Sequence, residues 1–366
     1  MGRLKPTEYM NIQTRSILAV AASALLFAGA GCVSVSSGGS TGAQGSDGGI
    51  FKTTNRGDDR LQKVAIPSVS GTPRALNGVN VATIVQDPQD NSALYIGTSE
   101  SGMFYSYDGG ESWNQPAALT RGRIPGIAVH PKYKCTIYVA VENKLLKSED
   151  CSRSWAVTYI DARADKLTTQ VAIDQANPQV IWISNSAGDM LRSADGGASW
   201  TSIKNLGSGV IKLAMHSTDS RRMFAGTRST GVWRSSDAGQ TWLNMGEQYK
   251  DFGGSNEFYD MAQSASDANT LIIATKYGLL RTTDSGDTWK DIPLLTAPGS
   301  ALIYSVAIDP RDASVIYYGT STLFYRTPNG GANWTTKRMP TSRTATVLQA
   351  DRGNSNVVYM GVTRFK

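Results

Sequence analysis

A short motif, Ser/Thr-x-Asp-x-Gly-x-x-Trp, recurs along the chain and constrains its fold more than any other feature. Six copies end in a Trp, and successive Trp residues lie 42 to 47 positions apart; they are Trp113, Trp155, Trp200, Trp242, Trp289 and Trp334. Within each copy the Asp side chain is suited to accept hydrogen bonds from nearby backbone N–H groups, and the Gly supplies a positive φ. Each copy therefore predicts a strand, a tight turn and a second strand.

The sequence upstream of each turn also repeats. An apolar strand ends near Asp-Pro or an equivalent, as at Asp309-Pro310, and an alternating strand such as 316–320 follows it. Each unit thus carries four strand signals, which we letter A to D from the centre of the ring outward. A period of this length with four short strands predicts an all-β fold, a single β-propeller of four-stranded antiparallel blades.

The two ends of the repeat region indicate how the ring closes. The chain stops after strands A and B of a seventh unit, 344–350 and 357–361, whereas residues 49–60 form a degenerate turn that lacks its own A and B strands. In that turn Asn55 replaces the Asp and Arg60 replaces the Trp. We therefore predict seven blades, with the N-terminal strands completing the C-terminal blade and leaving no open sheet edge. Six blades with a separate N-terminal segment is the alternative.

This pattern resembles the Asp-box (BNR) propellers, which include sialidases, xyloglucanases, sortilin-type receptors and photosystem II assembly factors. The resemblance covers residues 49–366, with departures at Asn55, at Asn329 and at Ser152, which stands where the motif has Gly. It implies the propeller fold, but enzymes and non-enzymes share the motif. The turn residues are expected to be structural; they are Asp108, Asp150, Asp195, Asp237, Asp284 and Asn329. In the related enzymes the sites lie on the opposite face, at the mouth of the central channel.

The first 48 residues are expected to direct and anchor the protein. Residues 1–31 form a signal segment, in which Arg15 precedes an apolar run at 17–30, and the run ends Ala-Gly-Ala-Gly before Cys32. This end resembles a bacterial lipobox, which implies lipidation of Cys32, although Gly29 stands where the pattern prefers Leu. An ordinary signal peptide with an incidental Cys is the alternative. Val33 favours the outer membrane, and residues 32–48 are Ser- and Gly-rich, as expected of a tether. We expect a lipid-anchored protein of the cell envelope, on its periplasmic or surface side.

The other two cysteines and the two histidines are expected to serve the fold. Cys135 and Cys151 fall at the same end of one blade, so an exported protein is expected to join them in a disulfide; two free thiols are the alternative. His130 and His216 stand where other blades carry an Asp at the end of strand A, which indicates turn residues. No Cys-x-x-Cys pair occurs, and we predict neither a metal site nor a cofactor.

Positive charge is concentrated in the loops of one end of the predicted ring. The net charge is +6, with no basic run of the kind that nucleic-acid binding requires. The D-to-A crossovers carry the predicted partner-binding rim: Arg74, Arg121, Arg123, Arg163, Lys250, Lys337, Arg338 and Arg343. Arg228 in a B–C loop adds to the same face. Such a rim suits an acidic protein surface or an anionic glycan. The alternative is that these Arg and Lys side chains are simply solvated loop residues, since loops are polar.

The sequence is compatible with more than one functional class. The first is a monomeric, non-enzymatic envelope propeller that acts as a protein-binding or assembly-factor module. The second is a glycoside hydrolase or carbohydrate-binding protein, for which Asp260 and Asp251 are the candidate carboxylates, since glycoside hydrolysis needs a pair of them. An ion pair between Asp260 and Lys212 on the adjacent blade is the structural alternative. A purely structural surface lipoprotein is a third possibility.

Overall fold

The computed structural model describes residues 47–67, 74–216 and 218–365. The expectations for the signal segment, for Cys32 and for most of the tether lie outside these residues. Within the described ranges, no helix is both long and apolar enough to cross a membrane.

Seven antiparallel sheets form seven blades, as the repeat predicts. Blade 1 consists of Val81–Gln86, Leu94–Thr98 and Met103–Ser106; blade 2 of Gly126–Val129, Ile137–Val141, Lys144–Ser148 and Ala156–Ile160; blade 3 of Thr168–Ile173, Ile181–Asn185, Asp189–Ser193 and Thr201–Asn205. Blade 4 consists of Val210–Met215, Met223–Thr227, Val232–Ser235 and Leu243–Asn244; blade 5 of Phe258–Gln263, Leu271–Thr275, Leu279–Thr282 and Lys290–Asp291; blade 6 of Ser305–Asp309, Asp312–Gly319, Leu323–Thr327 and Thr335–Arg338. A short 3-10 helix, Gly246–Tyr249, and a small hairpin of Ala65–Ile66 with Arg74–Ala75 lie between blades.

Blade 7 is built from both ends of the propeller, which confirms the predicted closure. Its A and B strands are Thr344–Ala350 and Val358–Thr363, and its C and D strands are Gly49–Thr53 and Leu61–Gln62. Phe51 lies opposite Met360 in the antiparallel register. The ring therefore closes through a sheet that contains the first and the last described strands.

The turn that precedes Leu61 keeps the Asp-box geometry despite its altered sequence. The backbone N–H of Gly57 donates to Thr53 Oγ1 at 2.9 Å, and that of Asp59 donates to Asn55 Oδ1 at 2.9 Å. The Arg60 guanidinium carbon lies 3.8 Å from the centre of the Phe324 ring. A stacked guanidinium thus covers the turn where the other copies use an indole.

Blade 1 differs from the others because its outermost strand is reduced to one bridge, between Tyr105 and Asn114. Pro116 follows closely, and a proline has no N–H with which to continue the ladder. The free edge of Met103–Ser106 is instead covered by the following crossover, since the Met103 N–H donates to the Leu119 carbonyl at 3.0 Å. Backbone hydrogen bonds from the crossover thus cover this edge although the blade lacks a fourth strand.

Apolar clusters between neighbouring blades form the core. An aromatic residue in strand B of one blade packs against the Asp-box glycine of the next, as Trp182 does against Gly239 and Phe224 against Gly286. A side chain at Gly239 would overlap the Trp182 indole, and the φ of Gly239 is +79°. The motif glycine therefore serves both the turn and the packing between blades.

Candidate functional site

The meander of each blade gives the ring two distinct faces. The A–B loops and the Asp-box turns share one end, which we call the Asp-box face, and the B–C loops and D-to-A crossovers share the other, which we call the crossover face. The first residues of each A strand lie at the crossover face. The Asp-box face and the crossover face are therefore separate surfaces.

On the Asp-box face the motif carboxylates are occupied by their own turns. Asp108 Oδ1 accepts from the Ser106 hydroxyl at 2.7 Å and from the Ser112 N–H at 3.0 Å, and its Oδ2 accepts from the Ser112 hydroxyl at 2.6 Å. In blade 2 the Ser154 hydroxyl and N–H lower the pKa of Asp150 to about 2. The same contacts recur at Asp195, Asp237 and Asp284, and Asn329 accepts from Thr327 and from the Asn333 N–H.

The disulfide predicted between Cys135 and Cys151 is present. It joins the A–B loop of blade 2 to the turn between its C and D strands, and the Cys151 N–H donates to the Cys135 carbonyl at 3.2 Å. The two histidines close strand A as predicted. His130 Nδ1 accepts from the N–H groups of Lys132 and Tyr133, both at 3.0 Å, and His216 Nδ1 accepts from the Asp219 N–H at 2.9 Å. Burial lowers the pKa of both imidazoles.

On the crossover face a cavity of about 160 Å³ opens at the mouth of the central channel. In five of the seven A strands the register shifts by one residue at this end; the extra residues are Ala82, Thr169, Ile211, Tyr259 and Thr346. Three of them, Ala82, Thr169 and Ile211, line the cavity. Because a bulge re-aims side chains, this repeated shift shapes the channel mouth.

Two arginines face this cavity from different parts of the ring. Arg123 belongs to the crossover between blades 1 and 2, and Arg228 belongs to the B–C loop of blade 4. None of the described residues that line the cavity is acidic. Neither guanidinium forms an ion pair with any described residue. Arg123 retains contact with solvent, but partial burial, and then the charge of Arg228, lowers its pKa. The mouth is therefore a solvent-accessible site with positive charge that no described lining residue balances.

The other predicted rim residues differ in availability. Arg163 binds Asp161 at 2.8 Å and Asp189 at 2.6 Å, and these contacts raise its pKa. Lys250 lies 3.3 Å from Glu247, and Lys337 lies 3.6 Å from Asp58 of the adjoining Asp-box turn. Arg74 donates to Gln115 at 3.3 Å. Arg121 and Arg338 are exposed and have no ion pair with any described residue.

Arg343 requires a correction, because it is not an exposed rim residue. Its side chain is only 4% exposed and lies 3.3 Å from Asp47. Its Nη1 also donates to Asn80 Oδ1 at 2.8 Å and to the carbonyls of Gly78 and Val79. Ring closure brings these groups around the guanidinium, which therefore holds crossovers together.

The two candidate catalytic carboxylates lie in different environments. Asp260 is buried; its Oδ1 lies 2.9 Å from Lys212 Nζ, and its Oδ2 accepts from the Val306 N–H at 3.0 Å. It thus connects the inner strands of blades 4, 5 and 6. Asp251 is exposed on the crossover after the 3-10 helix. Among the described residues, no three His, Cys, Asp or Glu side chains are grouped so that they could hold a metal ion.

Sequence reasoning named Arg123 and Arg228 but did not identify the cavity between them. The bulges that shape it leave only a local break in strand alternation, which is a weak signal. A second feature of this face was also missed: Tyr304 stacks on Phe365, with ring centres 5.4 Å apart. The pairing of a crossover residue with one beyond the last strand has no local sequence signature.

A protein-family model described as "Photosynthesis system II assembly factor YCF48" matches residues 205–364. Two curated xyloglucanases are similar in sequence. That of Paenibacillus sp is 25% identical over 344 residues, which cover 79% of this chain and 30% of the relative. The xyloglucanase of Hypocrea jecorina is 29% identical over 208 residues, which cover 53% of this chain and 24% of the relative. The chain therefore spans less than a third of either relative's length.

Solved structures of both kinds share the fold. The GH74 xyloglucanase from Xanthomonas campestris superposes with a TM-score of 0.63 at 17% identity, over 77% of this chain and 51% of its own. A YCF48 bound to a D1 peptide superposes with a TM-score of 0.60 at 13% identity, over 82% of this chain and 94% of its own. YCF48 from Cyanidioschyzon merolae superposes with a TM-score of 0.60 at 14% identity, over 81% of this chain and 97% of its own. At these identities the likeness establishes the propeller architecture.

Proposed function

We propose that this chain, which is an Asp-box (BNR) β-propeller, is a non-enzymatic envelope module that binds a protein partner through its crossover face. The observation that carries the proposal is the Arg123–Arg228 cavity, where two guanidinium groups share a channel mouth without an acidic neighbour among the described lining residues. A guanidinium binds carboxylates through two parallel hydrogen bonds. The ligand chemistry is therefore an acidic segment of a partner protein.

The comparisons support a protein partner without separating it from the alternative. A YCF48 structure holds a D1 peptide, and this chain covers 94% of that propeller. It covers only 30% and 24% of the two curated xyloglucanases, so those relatives contain much that has no counterpart in this alignment. Asp260 also uses both carboxylate oxygens in contacts between blades.

The anchoring part of the proposal depends on Cys32. Its lipidation would hold the propeller at the envelope membrane through the Ser- and Gly-rich segment 32–48. Retention of the full chain in the membrane fraction, and its release when Cys32→Ser is introduced, would support this step. Equal distribution of both forms would contradict it.

The partner proposal is tested by crosslinking in the native envelope. A photoreactive residue in place of Gln170, which lines the cavity, should give specific adducts with a protein. The Arg123→Ala/Arg228→Ala variant should lose these adducts, whereas Arg121→Ala/Arg338→Ala, which removes equal charge from exposed positions, should retain them. Adducts that survive in the first variant would exclude the cavity as the binding site.

A carbohydrate-directed function is the second candidate, favoured by the xyloglucanase similarity and by the Tyr304–Phe365 stack on the crossover face. Stacked aromatic rings offer a flat apolar surface for a sugar ring. Incubation with xyloglucan and other β-glucans should release no sugar if the first proposal holds. Release that is lost in Asp260→Asn would instead assign the protein to the glycoside hydrolases.

A further inference from the structure

The chain enters the propeller on the crossover face. Strand C of blade 7 begins at Gly49 and runs toward the Asp-box turn, so the preceding residues lie at the opposite end. Asp47 is fixed there: its Oδ2 accepts from the Ser342 hydroxyl at 2.7 Å and from the Ser342 N–H at 2.8 Å. Thr341 donates to the Asp47 carbonyl at 2.7 Å. The first described residues therefore lie on the crossover face, held by the crossover that precedes strand A of blade 7.

The same face combines exposed cations with exposed apolar side chains. Leu295, Leu302 and Phe365 are 60%, 45% and 58% exposed, respectively, in the crossover after blade 5 and after the last strand. The cations are those of the channel mouth and the neighbouring crossovers: Arg121, Arg123, Arg228 and Arg338. Apolar side chains flanked by arginines are suited to the headgroup region of an anionic bilayer.

The two faces differ in their balance of charge. The A–B loops and Asp-box turns carry more Asp and Glu than Lys and Arg, whereas cations outnumber the exposed carboxylates of the crossover face, such as Asp165, Glu247 and Glu257. Carboxylates at the Asp-box turns remain half or more exposed even where a cation contacts them: Asp58 is 61% exposed, Glu111 50%, Glu149 69% and Asp287 66%. An anionic bilayer would repel the Asp-box face and attract the crossover face. The charge of the ring thus distinguishes its two sides with respect to a membrane.

The length of the tether adds a geometric preference. About 15 residues separate Cys32 from Asp47, and a chain of that length reaches at most roughly 50 Å even when fully extended. Such a span keeps the point of attachment near the bilayer. We infer that the crossover face is the membrane-facing side of the anchored propeller, so that the Arg123–Arg228 cavity meets acidic segments presented at the bilayer surface. This inference rests on the proposed anchor and partner-binding function.

The test measures the orientation of the full-length, lipidated protein. A single added cysteine carries a fluorophore, either on the crossover face at Leu302→Cys or on the Asp-box face at Asp58→Cys, both exposed positions. The protein is reconstituted in vesicles that contain phosphatidylglycerol and a headgroup-linked quencher. We expect quenching at Leu302→Cys to exceed that at Asp58→Cys several-fold, and the difference to shrink at high salt because exposed charges are screened.

Equal quenching at the two positions, or stronger quenching at Asp58→Cys, would overturn the inference. This outcome is distinct from failure of the proposed function, since crosslinking at Gln170 reports the partner and membrane fractionation reports the anchor. Vesicles of neutral phosphatidylcholine provide the matched control: the preference should weaken there if charge contributes. An unchanged preference would assign the orientation to the tether and the apolar side chains alone.

Discussion

Asp47 and Arg343 are 296 residues apart in sequence, and Arg343 Nε lies 3.3 Å from Asp47 Oδ1. The contact joins the segment before the first strand to the crossover before strand A of blade 7. Arg364 Nη2 lies 3.7 Å from the same carboxylate, and the backbone N–H of Arg364 donates to Asn80 Oδ1 at 2.9 Å. Four parts of the chain therefore meet around one buried guanidinium at the seam of the ring.

We predict that Arg343→Ala destabilises the propeller. Removal of the guanidinium takes one charged donor away from Asn80 Oδ1, from the Gly78 and Val79 carbonyls and from Asp47, although Asn80 and Val79 each keep a backbone N–H donor. Hydrogen bonds to a charged group contribute roughly 1.5–3 kcal/mol each. Urea unfolding should show a loss of at least that order. Arg338→Ala, which truncates an exposed arginine in the same region, should change the unfolding free energy by no more than about 0.5 kcal/mol. Equal effects would contradict the structural role of Arg343.

The same seam should be sensitive to acid. Burial alone would raise the pKa of Asp47, but hydrogen bonds from Ser342, Thr341 and Arg343 outweigh it and lower the pKa well below its usual range. The folded state therefore prefers the carboxylate, so its stabilisation is complete above the unfolded pKa of about 3.9 and is lost as pH falls through the folded value. Asp47→Asn should be less stable than wild type at pH 7, and the difference should narrow toward pH 2. A difference that stays constant with pH would contradict this.

Ser152→Gly should stabilise blade 2. Ser152 occupies the glycine position of the motif at φ +69°, and its buried hydroxyl has no hydrogen-bond partner within the described chain. A non-glycine residue in this region costs roughly 1–2 kcal/mol, so glycine should recover about 1 kcal/mol after its greater loss of backbone entropy. Thermal unfolding under oxidising conditions, with the Cys135–Cys151 disulfide intact, measures the gain. Unchanged or lower stability would show that the turn accommodates serine without strain.

Asn55→Asp should destabilise the degenerate turn of blade 7. Asn55 Nδ2 donates to Asp59 Oδ2 at 3.0 Å, so an Asp at position 55 would place two carboxylates in contact. For exposed charges this repulsion costs about 1 kcal/mol. Asn329→Asp is the matched control, because Asn333 rather than an acid stands four residues on. The penalty at position 55 should disappear below pH 4, and its persistence there would exclude repulsion as the cause.

The sequence predicted those features that repeat or that depend on neighbouring strands. The Trp spacing gave the blades, the degenerate turn at Asn55 gave the closure, and the antiparallel arrangement of strands B and C gave the disulfide. Arg343 could not be placed correctly, because its burial depends on Asp47, which only the closed ring brings near. The Arg123–Arg228 cavity was likewise missed, since one-residue bulges at positions such as Thr169 set its shape and arise from sheet curvature rather than from local residue preference.

Closure of blade 7 by the first described strand also constrains the order of folding. Phe51 pairs with Met360, so this strand cannot find its partner until nearly all of the chain has been synthesised. Blades 1 to 6 can form from consecutive segments, whereas the seventh requires contacts of very high sequence separation, which form slowly. Until then Gly49–Thr53 exposes an unpaired edge and the apolar side chains of Ile50 and Phe51. During biosynthesis this strand consequently needs protection from aggregation.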